Sequence, residues 1–154
     1  MKLNNSALDQ LSPEVSVPVY ERSNLGHGIV HIGVGGFHRA HEAVYTHQLL
    51  QAGGSPDWSI CGVGLREGDR AMHQVLSDQD HLYTLIELGA DRTNTLSVIG
   101  SITGFMFAPD EQDAVLEKMA SSEVKIVSLT ITEGGHNVDD HTGSLNANDT
   151  PLTP

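Results

Sequence analysis

The apolar run GIVHI at residues 28–32, followed at once by Gly33, Gly35 and Gly36, constrains this chain more than any other stretch. Ile29, Val30 and Ile32 are β-branched and fall on both sides of the strand alternation, the pattern of a strand buried on both faces. From His38 to about Gln51 the period changes to that of a helix. Ala40, Ala43, Val44 and Leu50 fall on one face, with His47 as the exception, and His38, His41, Tyr45 and Gln48 fall on the other. Gly53 stands where a left-handed residue ends a helix. A strand that turns through glycines into a helix is the first half of a βαβ unit, so the rest of the chain is read for a parallel sheet.

The following segments fit that rhythm. DWSICGVGL predicts a second strand and GDRAMHQVLSD a short helix with Ala71, Met72, Val75 and Leu76 apolar. HLYTLIEL and TLSVIGSITGF predict two antiparallel strands, a β-hairpin insertion. APDEQDAVLEKMA predicts a helix, with Pro109 in its first turn, acids at its positive end, and Val115, Leu116 and Met119 on the buried face. VKIVSLTIT predicts a last buried strand. The expected fold is therefore α/β, a Rossmann-like, mainly parallel sheet with flanking helices. Residues 1–27, with Pro13 and Pro18 and no sustained period, predict an arm crossing the surface; residues 28–135 form the dinucleotide-binding unit; residues 136–154 are polar and turn-rich, a loop or frayed tail. With 154 residues there is room for one cored domain but not comfortably for two.

Charge and cysteine usage narrow the partners. A formal net charge of -12 repels phosphate backbones and anionic lipid, so no nucleic acid and no membrane surface is expected as a partner. No apolar stretch approaches the roughly 18 residues that span a bilayer. The N-terminus lacks the apolar core of a secretory signal, and Cys61 is the single cysteine, so a cytoplasmic, reducing setting is expected.

The glycine turn also carries chemistry. Amides that open a helix lack acceptors and the helix dipole favours negative charge, so such a turn suits a phosphate. Gly33 permits the tight turn and Gly35 lets backbone approach a pyrophosphate, as in the G-x-G-x-x-G fingerprint; His38 stands where that pattern has its third glycine. No Gly-Lys-Ser/Thr follows, so it is not a Walker loop. The dinucleotide reading requires an acid near the end of the second strand for the ribose hydroxyls. Asp69 and Glu67 are placed for that, and Arg66 suits adenine or a 2′-phosphate, which leaves NAD preferred and NADP open. Asp69 is equally a good helix cap. Thr132 and Glu133, in TITEGG, are expected at the carboxyl end of the last strand, on the nicotinamide side. His31, His38, His41 and His47 suggest a metal, but HEAVYTH is not H-E-x-x-H and there is no cysteine pair, so no metal site is expected.

HIGVGGFHRAH, DWSICGVGLRE and IVSLTITEGG, in this order, resemble the mannitol dehydrogenase family, long-chain polyol dehydrogenases that also include fructuronate reductases. MKLN and LSPEVSVPVY are similar to the opening of its mannitol 2-dehydrogenase branch, the bacterial members in particular. The resemblance implies metal-free, NAD-dependent hydride transfer from a polyol, typically D-mannitol to D-fructose, with fructuronate or tagaturonate reduction as the alternative. It implies that Gly33, Gly35, Gly36 and Phe37 belong to the cofactor turn, that Asp69 holds the ribose, and that Glu133 is an accessory carboxylate aiding proton passage. Relatives often carry a second acid just before Asp69, where this chain has Gly68. Alcohol oxidation needs a base within reach of the hydroxyl. Lys2, Lys118 and Lys125 are the only lysines, and none stands at the ligand end of a strand. The resemblance places the catalytic lysine in a C-terminal, mostly helical domain. The sheet and the enzyme are therefore expected to be incomplete here, and the chain alone to be inactive.

Overall fold

A computed structural model describes residues 2–91, 93–131, 139 and 142–144. Its elements are β1 (Val15–Ser16), β2 (Ile29–Ile32), α1 (Gly36–Ala40), α2 (Glu42–Gln51), β3 (Ile60–Gly64), α3 (Arg70–Ser77), β4 (Tyr83–Leu88), β5 (Asn94–Ile99), β6 (Ile102–Phe107), α4 (Ala108–Ala120) and β7 (Ile126–Leu129), with short 3-10 turns at Asn5–Gln10, Arg22–Asn24 and Glu67–Asp69. Four strands form a parallel sheet in the order β6-β3-β2-β7. The chain steps outward from β2 through β3 to β6, then returns to the far side of β2 for β7. The direction of winding thus reverses between β2 and β7, and such a reversal opens a crevice at the carboxyl ends of the two strands.

Two cores sandwich this sheet. Ile29, Val34, Ala43, Val44, Ile60, Leu76 and Phe105 pack on one face, and Val30, Cys61, Val63 and Val115 on the other. All of β3 is buried, as expected for a central strand covered on both sides. Each fully buried aliphatic side chain such as Ile60 contributes about 1.5–3 kcal/mol relative to exposure. The hairpin predicted from the sequence is present as β4 and β5, antiparallel from Tyr83↔Ile99 to Leu88↔Asn94. Among the described residues no helix is long and apolar enough to cross a membrane.

Several local expectations change. TLSVIGSITGF is two strands, because the chain changes sheets at Gly100–Ser101. There Arg22 donates from Nε to the Gly100 carbonyl and from Nη2 to that of Ile102, and a Cβ on Gly100 would stand 2.7 Å from Pro18 Cγ. The arm is accordingly more than a surface crossing. Val15 and Ser16 pair in parallel with Leu96 and Ser97, and the Tyr20 hydroxyl meets His47 Nδ1 at 2.6 Å. That bond explains the buried histidine on the apolar face of α2. The predicted helix over 38–51 is broken at His41 (φ -126, ψ -86), and the break resets the helical phase. His38 is therefore buried and Ala40 exposed, the reverse of an uninterrupted helix. Gly53 does close α2 with φ 81. In α4, Val115 is buried but Leu116 is exposed, Glu111 (φ -145, ψ 44) interrupting the helix. β7 exists, but it is exposed, with Leu129 at 55 %. β2 is its single strand neighbour among the described residues. Thr132, Glu133 and nearly all of 136–154 lie outside the described residues.

Candidate functional site

The glycine turn stands at the winding reversal. Gly33 follows the last residue of β2 and has φ 94, a left-handed conformation that side chains resist. Its amide is tied to Val63 of the neighbouring strand at 2.9 Å, and the Gly35 amide returns to the Gly33 carbonyl at 2.8 Å. These bonds place Gly35 as the N-cap of α1, so the amides of Gly36 and Phe37 open a helix without intrahelical acceptors. A Cβ built on Gly33, Gly35 or Gly36 meets nothing within 4 Å. Space therefore stands open above all three, as a group held against the backbone needs. Phe37 is 66 % exposed at the rim, its ring stacked on His41 with centroids 4.3 Å apart.

The acidic turn lies at the same end of the adjacent strand. β3 ends at Gly64, whose added Cβ would come 2.9 Å from Asp69 Cβ, so that glycine lets the turn fold back over the strand. Asp69 Oδ2 accepts from the amides of Leu65 and Arg66, each at 3.0 Å. Asp69 thus closes the turn that precedes α3 and makes no side-chain cap bond to α3 itself, unlike the helix cap expected from the sequence, while Oδ1 stays outside that pair of bonds. Glu67 is committed elsewhere: it pairs with Arg70, whose guanidinium also binds Asp110 at 2.7 Å and lies over the Phe107 ring. Arg66 is exposed beside them. No lysine joins this edge: Lys2 pairs with Asp78, Lys118 with Glu123, and Lys125 donates to the Ser122 carbonyl.

A partly buried polar cluster lies just behind the turn, and its members other than the histidines escaped the sequence reading. His31 of β2 and His38 of α1 stack with ring centroids 3.6 Å apart and planes 11° from parallel. Glu42 Oε2 stands 2.9 Å from His31 Nδ1 and 3.4 Å from His38 Nδ1. Ser128 Oγ donates to Glu42 Oε1 at 3.0 Å, and His31 Nε2 meets Thr130 Oγ1 at 3.1 Å. His38 is 1 % exposed, and Glu42, at 3.4 Å from its Nδ1, is the polar group it faces. The stack occupies the gap that the fingerprint's third glycine ordinarily keeps small. Spacing alone had paired His38 with His41; the break at His41 separates them. His31, His38 and Glu42 do gather ligand atoms within 4.8 Å of one another. Imidazole lone pairs lie in the ring planes, however, and two parallel planes about one ring thickness apart do not aim at a shared ion 2.0–2.1 Å from each nitrogen.

Hydrogen bonding from His31, then His38, holds the Glu42 carboxyl far below its usual range, with burial opposing. Burial pushes His38 down, and Glu42 partly offsets this. His47 is lowered to about 4, by burial first and then by the charge of Arg22. The sign is common to all three. Both imidazoles take up protons more readily unfolded, so their contribution is complete above about 6.5 and is lost as pH falls below that, for His47 through about 4. Glu42 loses its share only below about 4.5. Thermal midpoints between pH 7.5 and 4.5 should therefore fall less steeply for His47→Gln than for the unsubstituted chain; equal slopes would contradict the assignment.

Comparison with known proteins follows the same residues. A family model described as the mannitol dehydrogenase Rossmann domain matches residues 27–149. Mannitol 2-dehydrogenase of Neosartorya fischeri is 51 % identical over 150 residues, covering 94 % of this chain and 30 % of that protein. The Pyricularia oryzae mannitol 2-dehydrogenase is 50 % identical over 136 residues, 88 % of this chain and 27 % of that one. Among solved structures, the Pseudomonas fluorescens mannitol 2-dehydrogenase ternary complex with NAD and D-mannitol superposes with TM-score 0.88 at 52 % identity, covering 96 % of this chain and 30 % of that one. A substrate-free D-sorbitol dehydrogenase gives 0.84 at 37 % identity, covering 97 % and 31 %. This chain thus spans about 30 % of the length of the curated relatives it matches most fully. Because the family model runs unbroken from the arm's end through the glycine turn, the acidic turn and the whole parallel sheet, the chain belongs to the mannitol dehydrogenase family.

Proposed function

We propose that this chain is the dinucleotide-binding part of an NAD-dependent polyol dehydrogenase that oxidises D-mannitol to D-fructose. One observation carries the reading: a glycine turn with open space over all three glycines stands at the winding reversal of a parallel sheet. The residues fit the cofactor. Gly33, Gly35 and Gly36 would let the diphosphate rest on the amides that open α1, with Phe37 at the rim. Asp69 would offer Oδ1 to the adenosine ribose while Oδ2 keeps the turn closed. With Gly68 beside it rather than a second acid, Arg66 leaves room for a 2′-phosphate, so NADP is the second cofactor to test. When bound, the nicotinamide supplies the hydride acceptor.

What remains is proton removal from the substrate hydroxyl. Thr132 and Glu133 follow β7 in sequence, and Glu133 is proposed as the accessory carboxylate there. A general base must come within hydrogen-bond reach of the hydroxyl. All three lysines of this chain are engaged away from the crevice. The base, like most of the polyol pocket, is therefore assigned to a helical domain beyond this chain. In this division residues 1–27 strap the hairpin and residues 28–135 form the cofactor unit. A cytoplasmic setting suits the buried free thiol of Cys61.

Titration of the purified chain with NADH, followed by calorimetry, is expected to show saturable binding, and incubation with D-mannitol and NAD no NADH formation. Absence of binding to folded protein would overturn the cofactor assignment. Turnover by the chain alone would overturn the assignment of the base.

A further inference from the structure

The winding reversal leaves β7 weakly held where position matters most. Hydrogen bonds to β2 run along one edge, ending with the Thr130 amide on the Ile32 carbonyl at 3.2 Å. Ile126 and Val127 are each 46 % exposed and Leu129 more so. Among the described residues, apolar packing therefore does little to fix how far the end of β7 stands from the glycine turn. The polar cluster does. His31 pairs in register with Ser128, and Gly33 and Thr130 are the next residues past Ile32↔Leu129. Glu42 begins α2, the continuation of the helix that the glycine turn opens.

Proton placement makes the contact directional. An ionised carboxylate only accepts, so His31 Nδ1 must carry a proton toward Glu42. A neutral His31 then has Nε2 as an acceptor, and the Thr130 hydroxyl donates to it. Ser128 donates to the same carboxylate. The groups facing the two rings are Glu42 from α2, Arg39 from α1, the Ser128 hydroxyl from β7 and the Thr130 hydroxyl just past it. A buried charged set of this kind is weak evidence for stability, since apolar side chains of equal volume would hold the elements together as well. What apolar side chains do not supply is a fixed distance and orientation.

We propose that Glu42, His31 and Thr130 are positioning residues that set the spacing between the glycine turn and the end of β7, and thus between the diphosphate and nicotinamide halves of the cofactor site. This rests on the dinucleotide reading above. It also separates two ligands: ADP-ribose engages the turn and the acidic edge alone, whereas NADH must span to β7.

The experiment measures dissociation constants of NADH and ADP-ribose, with thermal midpoints, for the full chain and for Thr130→Val, Thr130→Ser and Glu42→Gln. Loss of one part-buried hydrogen bond, about 1.4 kcal/mol at the upper end of its usual worth, weakens binding by up to about tenfold. Thr130→Val and Glu42→Gln should each weaken NADH by that factor and leave ADP-ribose unchanged. Thr130→Ser, which keeps the hydroxyl, should retain NADH affinity. Equal losses for both ligands, or Thr130→Ser behaving as Thr130→Val, would show a merely structural role and overturn the proposal. Failure of the unsubstituted chain to bind ADP-ribose would instead sink the dinucleotide reading, and this proposal with it.

Discussion

Replacing Gly35 by aspartate is expected to abolish dinucleotide binding while leaving the fold intact. Gly35 is at φ -85 and ψ -175, extended backbone open to any residue, and its added Cβ meets nothing within 4 Å. It is the N-cap of α1, a position that aspartate favours, so the helix should if anything gain. The new carboxylate would occupy the space proposed for the diphosphate and carry the same charge. Like charges forced together cost several kcal/mol, so NADH affinity should drop by at least about 100-fold, roughly 3 kcal/mol. Calorimetric titration alongside a melting curve checks both halves of the expectation. Unchanged affinity in a folded variant would move the diphosphate away from this turn.

The second large effect is expected in the core directly beneath. Gly62 is buried in β3, and a Cβ there would come 2.4 Å from Val34 Cγ2, far inside contact distance. Val34 is itself buried and lies between Gly33 and Gly35, so its side chain has little room to yield without pressing on the turn. Gly62→Ala should cost about 1–3 kcal/mol, as overpacked cores do. For a chain this long that lowers the thermal midpoint by roughly 3–10 °C. Adding Val34→Ala removes the clashing methyl groups and should recover part of the loss. The two changes are in contact, so their effects should be strongly non-additive in a double-mutant cycle. Additive effects would mean that the strand, rather than Val34, absorbs the added carbon.

Most of the parallel sheet was legible from the sequence because its signals are local. β-branched runs ending in glycine mark β2 and β3, and Pro109 with acids marks α4. The split of TLSVIGSITGF has a distant cause. Nothing near TLSVIGSITGF reveals that Arg22 seizes the chain at Gly100 and splits it into β5 and β6. Nothing near His41 reveals that the helix pauses there, and the pause buries His38. The glycine turn was legible as an anion cradle since its requirement is conformational. Asp69 was legible as a helix cap or a ribose ligand, but its side chain bonds back to the amides of Leu65 and Arg66 and makes no cap bond to α3. The cluster of Glu42, Ser128 and Thr130 was not legible: its members are dispersed in sequence, and a strand places His31 beside Ser128 only once the sheet is formed. One signal was available, a histidine at the centre of a strand otherwise apolar on both sides.

The β2–β7 pairing also bears on how the protein is made. His31 and Ser128 meet across a separation of 97 residues, so this contact closes the longest loop in the parallel sheet. Closing it confines a long stretch of backbone, a cost recovered only after the intervening strands are in place. During synthesis β3 and β6 leave the ribosome before Ile126–Leu129, so one border of β2 stands without a companion until translation reaches it. A nascent chain stalled just short of Lys125 would present that border to any extended segment nearby, and crowded polysomes are where such chains should stick to one another first.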